Sequence, residues 1–82
     1  MKTEILSKAI RNRNKVRFYY SLRQMVIDPY LISTDRTGTK TIYGKVENTD
    51  SVERFEFKKI YNIRVLETES FAPRIMNITR YN

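Results

Sequence analysis

The 82-residue sequence contains no cysteine, no histidine and no tryptophan. Without cysteine there are no disulfides, thiolate zinc sites, iron–sulfur clusters or cysteine nucleophiles. Without histidine the Ser-His-Asp and Cys-His arrangements and imidazole metal sites are excluded as well, which leaves carboxylates, Tyr, Lys and Ser for any catalysis. The chain therefore reads as a non-enzyme with no catalytic residue, no metal ligand and no cofactor. No apolar run approaches the ~20 residues that cross a bilayer. The opening Met1-Lys2-Thr3-Glu4-Ile5-Leu6 also lacks the apolar region of a signal peptide. A cytoplasmic protein with no membrane partner is expected.

Charge is plentiful and lopsided. Sixteen Lys and Arg against nine Asp and Glu give a net charge of +7. Lys2, Lys8, Arg11, Arg13, Lys15, Arg17 and Arg23 face Glu4 alone in the first 24 residues, so nearly all of the excess sits in the first third of the chain. A polyanion is the natural partner for such a surface, and a solvated basic face that keeps a small protein soluble is the alternative. Asp28, Asp50 and the other carboxylates fall between strands and turns without a metal-ligand spacing, and read as turn formers or surface charges.

Ile5, Leu6, Ala9 and Ile10 form one stripe of a helix over residues 3–13, with Thr3 as N-cap and Asn12 or Asn14 as the left-handed stop. From Lys15 the period becomes two: Val16, Phe18 and Tyr20 alternate with Arg17 and Tyr19 along a first strand. Met25 to Ile27 and Tyr30 to Ile32 make a second, with Pro29 marking an edge or a bulge. The turn residues Thr34 to Thr39 lead into a third, Thr41 to Val46, in which Gly44 points to a bend or a close backbone approach. Val52 to Phe57 gives a fourth strand with Phe55 and Phe57 on one face, Lys58 to Asn62 a single helical turn, and Ile63 to Leu66 a fifth. A helix and five short strands fit a small closed barrel, since curling removes exposed edges, with an open sheet carrying the helix on one face as the alternative. The domain is expected to span residues 1–73, closed by Pro73, with a tail at 74–82 that docks on the body or meets another copy.

Phosphates call for Lys or Arg, and bases for flat aromatic surfaces. The candidate binding residues are Arg17, Tyr19, Tyr20, Arg23, Tyr43, Lys45, Arg54 and Lys59. Tyr19 and Tyr20 cannot both face solvent, and Arg54 points away from Phe55. The bland reading of each tyrosine is a half-buried ring with its hydroxyl at the rim.

The order of these features resembles the WYL domain. Three stretches carry the resemblance: Ile5, Leu6, Ala9 and Ile10 leading into Val16-Arg17-Phe18-Tyr19-Tyr20; Ile27-Asp28-Pro29-Tyr30-Leu31-Ile32; and Phe55-Glu56-Phe57-Lys58-Lys59-Ile60 with Ile63 and Phe71. The tripeptide that names the family is replaced by Lys40-Thr41-Ile42, and its arginine near the fourth strand by Glu53 beside Arg54. The resemblance implies a mainly β fold with one N-terminal helix and a five-stranded SH3-like (Sm-like) β-barrel. It also implies a bacterial regulatory module, either free-standing or part of a transcription regulator. The ligand would be single-stranded nucleic acid or a nucleotide-like anion. The alternative function is an assembly module forming homo-oligomers through barrel edges and the tail.

Overall fold

The computed structural model describes residues 1–71, with Thr68 and Glu69 as backbone only. The expectations for Pro73 and the tail at 74–82 lie outside the described residues. Helix α1 runs over Lys2–Asn12 and is followed by strands β1 (Asn14–Tyr20), β2 (Arg23–Thr34), β3 (Lys40–Val46) and β4 (Val52–Glu56). A single 3-10 turn at Phe57–Lys59 then leads into β5, Ile60–Ser70.

Leu6 and Ala9 are the buried part of the helix stripe, Ile10 packs beside them, and Ile5 is 41% exposed on the flank. Two expectations at the helix ends are corrected. Met1 occupies the N-cap, and Thr3 lies inside the helix, its hydroxyl accepting a hydrogen bond from Lys40 Nζ at 3.1 Å. The left-handed stop is Arg13, at φ 56°, its N–H shared between the carbonyls of Ala9 and Ile10. Asn14 is instead the first residue of β1 and is buried, with Nδ2 donating to Glu67 O at 3.5 Å. The asparagine next to the stop is therefore committed to the sheet.

All five strands are antiparallel, in the order β4-β3-β2-β1-β5. Tyr20 and Arg23 pair across a tight hairpin in which Ser21 takes φ 58° and Leu22 stands 97% exposed at the tip. The ladder between β2 and β3 shifts register between Pro29 and Leu31, as a proline inside a strand requires. Gly44 lies opposite Pro29, and a Cβ there would stand 2.7 Å from both the Asp28 carbonyl oxygen and Ile27 Cδ1. That is the close backbone approach for which glycine was expected.

Val16, Phe18, Ile27, Ile42, Phe55 and Ile60 point into the curl of the sheet, where α1 meets them through Leu6 and Ala9. Each fully buried side chain of this size contributes roughly 1.5–3 kcal/mol. Phe18, Tyr20 and Phe55 form an edge-to-face trio with centroids 5.0–6.4 Å apart. The expected fold class is met, one helix and a curled five-stranded antiparallel sheet consistent with an SH3-like barrel, but the sheet is not closed: no ladder joins β4 to β5 among the described residues. The 3-10 turn carries the chain from one edge to the other, and the Glu56 N–H donates to Tyr20 Oη of β1 at 3.1 Å.

Candidate nucleic-acid interface

Because Val16, Phe18 and Tyr20 point inward, Lys15, Arg17 and Tyr19 occupy the opposite face of β1. Strand pairing extends each of them into a row across the sheet. Tyr19 lies between Gln24 of β2 and Tyr61 of β5, and Arg17 between Val26 and Arg64. Lys15 is opposite Leu66 of β5 and next to Asp28 of β2.

The Tyr19–Tyr61 row is open to solvent, the two residues being 41% and 57% exposed. Lys2 Nζ stands 5.4 Å from the centroid of Tyr61, a cation–π contact that adds positive charge at this edge. In the next row two guanidinium-bearing residues are held directly opposite each other. Cβ atoms of such a pair are ~4.5–5.5 Å apart, and like charges at that position destabilise a sheet. Among the described residues the ion pairs within 4.0 Å involve Lys15, Lys45, Lys58 and Lys59, and none reaches Arg17 or Arg64.

The row of Lys15 differs. Asp28, 3% exposed, accepts a hydrogen bond from Lys15 Nζ at 2.8 Å through Oδ1, and Lys45 Nζ lies 4.0 Å from Oδ2. Asp28 is thus neither a turn former nor a surface charge. It sits in β2 and holds two lysines on the outer face. Lys45 is further engaged by the Thr49 carbonyl at 3.0 Å. Asp28→Asn removes the negative charge that holds two cations and is expected to cost about 1–3 kcal/mol. For a domain of this size that lowers the thermal midpoint by roughly 4–20 °C. An unchanged midpoint would show that the pairing contributes nothing to folding.

The sequence candidates do not converge on one site. Arg17 and Tyr19 share the β1–β5 face. Tyr20 faces the core, its ring packed edge-on to Phe18 and Phe55 and its hydroxyl occupied by Glu56. Arg23, paired with Tyr20, stands exposed at the hairpin end on the side opposite Tyr19. Tyr43 and Arg54 face each other on β3 and β4, at the far end of the sheet, with Arg54 exposed beside buried Phe55 as expected. Lys59 is the last residue of the 3-10 turn, 3.8 Å from Glu56 Oε2. Tyr61 and Arg64 complete the exposed face, and neither was among the candidate binding residues. The three-residue spacing of Arg64 from Tyr61 hides the strand period, because Asn62 between them takes φ 56° in an irregular stretch of the β1–β5 ladder.

Arg54 also lies near the loop between β2 and β3. Hydrogen bonds from the Thr37 hydroxyl and from the Thr39 and Thr37 amides, aided by the Arg54 charge, hold the Asp35 carboxyl below the usual carboxylate range. A lowered carboxyl pKa contributes stability above the ordinary value and loses it as the pH falls through the lowered one. The difference in urea midpoint between the parent and Asp35→Asn is therefore expected at neutral pH and is expected to shrink in strong acid. An equal difference at both would refute this.

No protein-family model matches the chain, and no curated protein matches it in sequence. In structure it is similar to proteasome accessory factor B/C (PafBC) of Arthrobacter aurescens, with a TM-score of 0.76 at 18% identity over 98% of this chain. The matched part is 14% of that protein's chain, and the likeness is one of fold.

Proposed function

We propose that this chain is a non-enzymatic regulatory module of WYL type that binds single-stranded nucleic acid on the outer face of β1 and β5. The fold shared with part of PafBC agrees with the architecture that the resemblance implies. The observation that carries the reading is the arrangement Tyr19–Tyr61 beside Arg17–Arg64. Two opposed guanidiniums are a destabilising arrangement that a phosphate bound between them would relieve. Two exposed rings one row away offer stacking surfaces to unpaired bases, which a duplex keeps stacked. Arg17 and Tyr19 are two residues apart, ~6.7 Å along the strand.

Replacing both rings, Tyr19→Ala with Tyr61→Ala, is expected to weaken binding of a fluorescein-labelled oligothymidylate. Stacking is worth ~1–3 kcal/mol per base, so the loss should reach at least about tenfold. Fluorescence anisotropy at low ionic strength measures it. Undiminished affinity in the double variant, or equal affinity for duplex DNA, would contradict the proposed face.

A further inference from the structure

A second cationic site lies at the opposite end of α1 from Arg13, and it uses none of the four residues of the β1–β5 face. Three segments meet there: the start of the helix, the loop between β2 and β3, and the 3-10 turn. Between them is a cavity of about 430 Å3 lined by Lys2, Thr37, Gly38, Lys40, Phe57 and Lys58 together with Thr39, with no acidic residue in its lining among the described residues. Its size falls within the range of ~300–1,000 Å3 typical of small-molecule sites.

The placement of the ammonium groups distinguishes this cavity from a scatter of surface lysines. Lys2 Nζ donates to the Phe57 carbonyl at 2.6 Å, and Lys40 Nζ to the Thr3 hydroxyl at 3.1 Å. Both acceptors are uncharged. Neither ammonium is neutralised: Lys2 Nζ also stands over the Tyr61 ring, and Lys40 Nζ has two further N–H donors. Lys58 is 3.7 Å from Glu56 with its side chain 73% exposed, so this pairing is weak and readily exchanged. The nearby carboxylate of the loop, Asp35, is turned into its own turn by the Thr37 and Thr39 amides and the Thr37 hydroxyl. Gly38, at φ 87°, has open space where a side chain would stand, which leaves the loop side of the cavity clear.

We infer that this cavity is a binding site for a terminal phosphate carried by a molecule of nucleotide size. A phosphomonoester bears close to two negative charges and three acceptor oxygens, which suits a cavity lined by three lysines. An internal phosphodiester carries one. The terminal phosphate could belong to a free mononucleotide or to the end of an oligonucleotide, and the chemistry recognised is the same.

The test is a set of amide-resolved NMR titrations of the full chain with adenosine monophosphate, adenosine, and oligothymidylates with and without a 5′-phosphate. Adenosine monophosphate is expected to shift the amides of residues 37–40 and 57–58 in a saturable way, and adenosine is not. Lys40→Gln with Lys58→Gln should weaken this binding at least about tenfold, equivalent to ~1.4 kcal/mol. Arg17→Gln with Arg64→Gln should leave it unchanged. If the phosphorylated oligonucleotide alone produces the shifts, the site belongs to strand ends; if the mononucleotide suffices, it belongs to small ligands. Equal shifts with adenosine, or weakening by the arginine pair but not by the lysine pair, would overturn the assignment. An unchanged thermal midpoint would confirm that the variant is folded.

Discussion

Phe18→Ala is expected to leave little folded protein at physiological temperature. The ring is fully buried at the centre of the curled sheet, 5.3 Å from Phe55 and 6.4 Å from Tyr20 by centroid. Removing it forfeits its burial, opens a cavity and breaks two edge-to-face contacts, for a loss of about 3–5 kcal/mol. A domain of this length has a total stability of roughly 4–12 kcal/mol, at ~0.05–0.15 kcal/mol per residue. With Tyr20, whose ring lies 5.0 Å from Phe55, Phe18 ties β1 to β4 across the interior, two strands that are not neighbours in the sheet. A thermal melt followed by circular dichroism should fall by at least about 12 °C. Phe18→Leu should recover much of the loss. A decrease of only a few degrees for the alanine variant would show that the core is not organised around this ring.

The second large effect separates binding from folding. Arg17→Gln combined with Arg64→Gln is expected to lower affinity for single-stranded DNA by about 100-fold or more at low salt. A hydrogen bond to a charged group contributes ~1.5–3 kcal/mol, and two such contacts are removed. The same change should leave the thermal midpoint unchanged or raise it, because it removes a like-charge pair facing across a ladder. Weaker binding in an equally stable or more stable protein indicates that the two guanidiniums serve a ligand. A fall in stability with binding retained would mean that they serve packing instead.

Much of the fold was legible because its main signals are local. The alternation of Val16, Phe18 and Tyr20 with Arg17 and Tyr19 assigned both the strand and its inner face. Pro29 and Gly44 marked the one place where β2 and β3 shift register and approach most closely. The helix stop was missed because intrinsic preference favours asparagine in the left-handed region, whereas tertiary contacts claimed Asn14 for β1. Strand β5 was read as four residues and has eleven. Asn62 at φ 56° breaks its period near the start. Likewise the expected closure of the barrel depended on β4 meeting β5, a contact between strands that no local pattern encodes.

The candidate site was less legible, for a reason that follows from sheet geometry. Residue types identified which side chains suit a phosphate or a base, but only pairing determines which of them share a row. Nothing in the order of residues sets Arg17 against Arg64, 47 positions later, or Tyr19 against Tyr61. Register also separates Arg54 and Tyr43 from that face and reveals that Asp28 occupies Lys15 and Lys45. Sequence alone gave cations and rings in roughly the right number, and the curl of the sheet divided them between faces.

The most direct measurement is the salt dependence of binding to a short oligothymidylate, by anisotropy, for the parent and for Arg17→Gln with Arg64→Gln. On a single strand each neutralised phosphate contributes about −0.7 to the slope of log K against log salt. The expected result is a steep negative slope in the parent that becomes shallower by about 1.4 in the double variant. No binding by the parent at low salt, or the same slope in both proteins, would contradict the assignment of the β1–β5 face.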